Sequence, residues 1–228
     1  GLSGREARSE TESTEGAMDE PNDGARHGHG RGHGPPLAVT VWGEYACFTR
    51  PENKVERVSY PVMTPSAARG VLEAIFWKPE FAWRVAEIAV LAPIRYASIL
   101  RNEVSTRASL RTAQGWARDG GGFFAEEDRT QRHTLALRDV AYAIRAWPIP
   151  HSGNTDDAAK YRDQFRRRVA AGRCFATPYL GCREFSAAFG ERDPRGRAPI
   201  PLTTNLGRML LDIAYDQDGQ GGGAPVFF

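Results

Sequence analysis

At 228 residues the chain is long enough to bury one sizeable core, and its 25% charged and 41% apolar content is that of a globular protein. No run approaches the roughly 18 apolar residues of a membrane-spanning helix, and the start lacks the charged-then-apolar pattern of an export signal. No membrane partner and a cytoplasmic location are therefore expected. Three cysteines, Cys47, Cys174 and Cys182, form neither a C-x-x-C pair nor a disulfide framework, which points to a reducing compartment.

The net charge of +2 conceals an asymmetry. Residues 1–36 hold four Arg against seven Asp and Glu, a net −3, which leaves 26 basic against 21 acidic residues, or +5, in the remainder. The lysines are Lys54, Lys78 and Lys160, and all other basic side chains are arginine. Guanidinium groups suit bidentate phosphate contacts. A GC-rich coding sequence produces the same bias, so charge alone favours nucleic acid only mildly.

In chain order, residues 1–36 are Gly, Ser, Glu and Arg followed by "HGHGRGHGPP", too poor in apolar residues to fold, and a disordered tail is expected. His27, His29 and His33 there form either a loose metal site or an inert tract. Their glycine spacing imposes no geometry, which favours the inert reading. "LAVTVWGEYACF", from Leu37, alternates with β-branched residues and predicts a strand. A helix then starts with Thr64 as N-cap and Pro65 at its first position. "WRVAEIAVLAPIRYASILRNEV" predicts two strands broken at Pro93, and a Gly-rich charged insertion from 107 to 127, containing "GGGFF", predicts a mobile loop. "RHTLALRDVAYAIRAWPI" predicts a long strand or a strand pair. A second helix begins at Asn154 or Thr155 and ends at Gly172. The final "PVFF" reads as a strand cut short, with the expectation that the protein continues past Phe228.

The order strand–helix–strand–strand–helix–strand is the pattern of an α+β, ferredoxin-like (RRM-type) domain. It is assigned to 37–185 with the inserted loop 107–127, and 186–228 to a small appended C-terminal β subdomain. In the first helix Ala68, Val71, Leu72 and Ile75 follow the i, i+3, i+4, i+7 core spacing. Arg69 and Glu73 fall on the opposite side, Phe76 falls on the border and Trp77 points away from the core. Trp77 beside Lys78 either stacks a base next to a phosphate-binding cation or packs under a second subdomain. In the second helix Ala158, Phe165 and Val169 form the buried stripe, with Tyr161 at its boundary. Lys160, Gln164, Arg167 and Arg168 make a basic face, readable as a solvated surface or a ridge for a nucleic-acid backbone. The chain carries no Walker-type loop, no G-x-S-x-G and no zinc-ligand spacing.

Several strings together carry a resemblance: "GEYACFTRPENKVERVSYPVMTPSAARGVLEAIFWKPE", "RYASILRNEV", "EEDRTQRHTLALRDVAYAI", "FRRRVAAGRCFATPYLGCREF" and "PVFF". From Leu37 to Phe228 the chain resembles the subtype I-C (Dvulg) member of the fifth Cas family, CRISPR-associated proteins of the RAMP superfamily. The resemblance implies a metal-independent endoribonuclease, without cofactor, that cuts the CRISPR repeat transcript beside its hairpin. It also implies retention on the repeat-derived handle of the crRNA, with the other Cascade subunits as partners.

The reaction implied is attack of a ribose 2′-OH on its neighbouring phosphate, giving a cyclic phosphate and a 5′-OH. It requires in-line alignment, proton removal and neutralisation of the phosphorane charge. The resemblance suggests a Tyr–Lys–His set, of which Lys160 matches the lysine. Phe76 stands at the tyrosine position and Tyr161 at the histidine position. The resemblance thus makes Lys160 and Tyr161 the catalytic candidates, with Tyr161 a poor base at its reference pKa near 10. His133 and His151 are substitute bases, and Arg101 and Asn102 are candidates for RNA binding, with Arg69, Phe76, Trp77, Lys78, Gln164, Arg167 and Arg168. Two rival readings stay open: a binding scaffold that caps the RNA handle without cutting, and a duplex-DNA-binding subunit.

Overall fold

The computed structural model describes residues 34–53, 55–107, 109–122, 124–152, 155–214 and 224–228. His27, His29 and His33, and with them the tail expectation, lie outside the described residues. The main sheet is built on one strand, β5 (Arg129–Pro150), with β1 (Leu37–Ala46) antiparallel along one edge of its C-terminal half. β3 (Phe81–Val90) runs antiparallel along the other edge, with Phe81 opposite Pro150 and Val90 opposite Tyr142. The short β6 (Ala188–Gly190) pairs antiparallel with β1 and closes that side, so the sheet order here is β6–β1–β5–β3. The main sheet therefore draws on residues past 185. The N-terminal half of β5 pairs with β4 (Tyr96–Val104) as a two-stranded arm, joined by the two-residue β2 (Arg57–Val58). β7 (Leu210–Ala214) and β8 (Ala224–Phe227) form a separate hairpin.

The first predicted helix is α1 (Pro65–Ile75). Thr64 caps it, its side chain accepting from the Ala67 amide at 3.3 Å, and Pro65 opens it. The four residues expected on its core stripe, Ala68, Val71, Leu72 and Ile75, are its buried ones. They pack on Val39 and Val41 of β1 and Tyr142 and Ile144 of β5 in one core. α3 (Thr155–Ala170) adds Phe165, Val169 and Tyr161 to the same core, and Gly172, at φ +62, ends it. A smaller apolar patch of Leu91, Ala92 and Ala141, with Trp42 and Ala143 against it, is separate from this core.

One expectation changes, and one open alternative is decided. The insertion 107–127 contains α2 (Leu110–Asp119) where a loop was predicted. Ser109 caps it and Gly120, at φ +78, terminates it, so the glycine run ends a helix here. "RHTLALRDVAYAIRAWPI" lies in one continuous strand. Asp139, at φ +53, marks the point where β5 passes from the arm into the main sheet. Among the described residues no helix is long and apolar enough to cross a membrane.

Candidate functional site

α1 runs down to the end of the sheet where β3 starts, β5 stops and α3 begins. Its C-cap, Phe76, is the hub of an aromatic cluster. The Phe76 ring lies 5.5 Å from Phe81 and 6.4 Å from Tyr161, and Phe81 lies 4.7 Å from Tyr161 and 5.4 Å from Trp83. Trp83 continues the cluster to Phe165 at 4.8 Å and donates its indole N–H to the Phe76 carbonyl at 2.8 Å. Such ring pairs add about 0.5–1.5 kcal/mol each beyond the area they bury.

That cluster fixes what surrounds it. Trp77, the next residue, is 51% exposed, and Lys78 follows it on the surface. Lys160 is exposed on α3, its Nζ 5.7 Å from the Tyr161 ring centroid, with no carboxylate partner among the described residues. His151 is exposed directly after β5 and joins the same end of the sheet, its amide donating to the Glu80 carbonyl at 2.9 Å. His133, the other histidine among the described residues, sits on the arm beside Leu100. It is eighteen residues back, which is about 60 Å of chain at ~3.3 Å per residue.

The structure thus gathers Phe76, Trp77, Lys78, Lys160 and Tyr161 in one place, but it redistributes their roles. Phe76 is 2% exposed, so its ring is core and cannot stack a base. Tyr161 is 4% exposed, and burial first, then Glu80 and Asp157, push its phenol above the ordinary value. Its ring lies in the core, packed against Phe76 and Phe81. Arg168 also turns inward: its guanidinium donates to the Ile75 carbonyl at 3.2 Å and lies 5.4 Å from the Phe76 ring centroid, capping the end of α1. Gln164 is half-buried beside them, and Arg167 is exposed, its Nε 3.4 Å from the Asp163 carbonyl.

Three candidates lie elsewhere. Arg69 holds Asp212 of β7 with both guanidinium nitrogens and pairs with Glu73 at 3.6 Å, so it ties α1 to the C-terminal hairpin. Arg101 is on the arm, its side chain 18% exposed, bonded to Glu184 and 2.8 Å from Glu103 without hydrogen-bonding angles at that nitrogen. Asn102 is exposed beside it, opposite Gln131. Sequence reading also overlooked Arg173 and Phe175. The Phe175 and Ala176 amides donate to the Ala74 carbonyl at 2.8 and 3.0 Å, which brings the exposed Phe175 to the end of α1. The signal was the glycine stop at Gly172 followed by "RCF", a basic and aromatic pair just past a helix.

A family model described as "CRISPR-associated protein (Cas_Cas5)" matches residues 37–211. The chain belongs to the Cas5 family. Two curated relatives are named CRISPR pre-crRNA endoribonuclease Cas5d. The one from Thermus thermophilus is 50% identical over 183 residues, covering 80% of this chain and 75% of that protein. The one from Mannheimia succiniciproducens is 43% identical over 206 residues, covering 84% of this chain and 89% of that protein. Among solved structures, a functionally uncharacterized Streptococcus mutans protein superposes with a TM-score of 0.54 at 21% identity, covering 84% of each chain. A CRISPR-associated protein superposes with a TM-score of 0.53 at 23% identity, covering 78% of this chain and 80% of that one. Both likenesses concern the Cas5 fold alone; the subtype I-C resemblance read from the sequence agrees with the family match and the curated relatives.

Proposed function

We propose that this chain is a pre-crRNA endoribonuclease that cuts its transcript by 2′-OH attack without a metal and stays on the crRNA in the surveillance complex. The names of the two curated relatives support the reaction class. The strand order β6–β1–β5–β3, all antiparallel, with α1 and α3 sharing one core, supports reading the scaffold as ferredoxin-like.

The observation that carries the proposal is the pair of exposed cations at one end of the sheet, Lys78 and Lys160, with no carboxylate partner among the described residues and an exposed tryptophan beside them. A cation already neutralised by an acid has little left to offer a phosphate, whereas a solvated one exchanges counterions for the RNA backbone. Trp77 supplies a face for a base, worth about 1–3 kcal/mol in such stacks. Lys160 stabilises the charge that develops on the phosphorane. His151 is the group assigned to accept the 2′-OH proton, because it is the histidine at this end of the sheet. The 2′ oxygen then bonds to phosphorus, the P–O5′ bond breaks, and the 5′ oxygen takes its proton from water. Tyr161 and Phe76 hold Lys160 and Trp77 in place through the aromatic cluster.

The test incubates the full chain with hairpin repeat RNA in EDTA, beside the same RNA carrying one 2′-deoxy sugar at the cut. Cleavage of the first substrate only, slowed at least 100-fold by Lys160→Ala and by His151→Ala, is the expected result. Tight binding without cleavage supports the scaffold reading, and indifference to the hairpin refutes both.

A further inference from the structure

Away from that site, two cysteines are packed against each other and against a guanidinium. The Cys47 amide donates to the Leu180 carbonyl at 3.0 Å, which locks the end of β1 beside the 180–185 turn. Gly181, at φ +86, allows the close approach: a Cβ there would meet the Cys47 carbonyl oxygen at 2.0 Å. The Cys182 thiol donates to that same oxygen at 3.6 Å, which sets the two side chains side by side. Thr49 Oγ1 bridges them, 3.5 Å from Cys47 Sγ and 3.8 Å from Cys182 Sγ. Arg57 Nη1 lies 3.6 Å from Cys182 Sγ while also holding Glu184 at 2.8 Å.

We infer that Cys47 and Cys182 form a reactive thiol pair that peroxide converts to an intramolecular disulfide. The two sulfurs are not equivalent. The adjacent Cys47 thiol, with Thr49 and Arg57, brings the Cys182 thiol below its ordinary value against the opposing effects of burial and Glu184. The neighbouring Cys182 thiol and burial raise Cys47, so Cys182 is the first of the two to ionise. Cys182 keeps 9% of its surface and Cys47 none, so a small oxidant meets Cys182 first. A guanidinium 3.6 Å from Cys182 Sγ and a second thiol held by the same Thr49 hydroxyl are features of a thiol poised next to a resolving partner.

The chemistry balances in two steps. The Cys182 thiolate attacks one peroxide oxygen, the O–O bond breaks, and the hydroxide that leaves takes up the proton the Cys182 thiol released on ionising, giving a sulfenic acid and one water. The Cys47 sulfur then attacks the Cys182 sulfur and loses its proton. The S–O bond breaks and water leaves. Two thiols lose two electrons and hydrogen peroxide becomes two waters. The product ties β1 to the turn before β6 and withdraws the Cys182 sulfur from Arg57, loosening a contact of the Arg57–Glu184–Arg101 network.

The test uses the full reduced chain. It is treated with hydrogen peroxide, alkylated, digested and read by mass spectrometry, with the exposed Cys174 as the internal comparison. The expected result is a Cys47–Cys182 cross-linked peptide, both residues protected from alkylation while Cys174 is labelled, and a Tm raised by about 5 °C or more through closure of a long loop. Cys47→Ser leaves a sulfenic acid on Cys182 that dimedone traps, and Arg57→Ala slows oxidation several-fold. Alkylation of Cys47 and Cys182 in the wild type after peroxide, or oxidation confined to Cys174, overturns the inference whatever the variants do.

Discussion

At its Pro150 end β5 lies in the core with α1 and α3, and every second side chain from Tyr142 to Pro150 is buried. At its Arg129 end it pairs with β4, where no residue of β4 is buried, so the arm has a ladder of hydrogen bonds but little apolar burial. The charges divide in the same way. On the arm Arg57 and Arg101 share Glu103 and Glu184, while at the other end Lys78 and Lys160 have no acid among the described residues. The lesson is that arginine content does not locate a nucleic-acid surface. In the proposed function that surface is marked instead by Lys78 and Lys160, which have no acid partner among the described residues.

Substitution at the two ends sharpens this contrast. Phe81→Ala removes the centre of the aromatic cluster and is expected to cost about 3–5 kcal/mol, lowering Tm by about 6–20 °C in a thermal melt. Leu100→Ala on the exposed arm is the matching control and comes last in size, below about 0.5 kcal/mol.

Between the ends sits the junction at Asp139, held by Arg195 at 2.7 Å and Arg95 at 3.7 Å. Arg195 belongs to a turn closed by Asp193, whose side chain is 4% exposed and takes bonds from the Arg197 amide and guanidinium at 2.7–3.0 Å. The hydrogen bonds from Arg197 hold the Asp193 carboxyl down at about 2, below its ordinary 3.8. Because the folded value is the lower one, this stabilisation is present above about pH 4 and is lost as pH falls through 2. Asp193→Asn is expected to cost about 1–2 kcal/mol at pH 7, with the gap to wild type closing in denaturant titrations run toward pH 2.

Local signals were readable. Thr64 with Pro65 announces α1, and the spacing of Ala68, Val71, Leu72 and Ile75 names its buried face, because cap chemistry and the 3.6-residue period are properties of neighbouring residues. The outward Trp77 followed from the same wheel. What was not readable depends on distant partners. Arg69 meets Asp212 and Arg101 meets Glu184, 143 and 83 positions away, and no local pattern announces which arginines find acids. Tyr161 looked like a boundary residue because the wheel cannot know that Phe81 will cover it. His151 reaches the end of the sheet near Lys160 because Phe81 registers opposite Pro150. The helix α2 was hidden by Gly115 within it and by the glycine run from Gly120 that ends it.

Tyr161→Phe gives a smaller test of that burial. Keeping the ring and deleting a desolvated hydroxyl is expected to change stability by less than about 1 kcal/mol and cleavage by less than about threefold. A loss comparable to that of Lys160→Ala would move Tyr161 back into the chemistry.

The most direct measurement sets the two ends against each other in one assay: single-turnover cleavage of the hairpin repeat RNA by Lys160→Ala and by Arg101→Ala. The account predicts at least a 100-fold loss for Lys160→Ala, about 2.7 kcal/mol of transition-state stabilisation, and a rate within about threefold of wild type for Arg101→Ala. Equal losses in both, or a loss in Arg101→Ala alone, would contradict it.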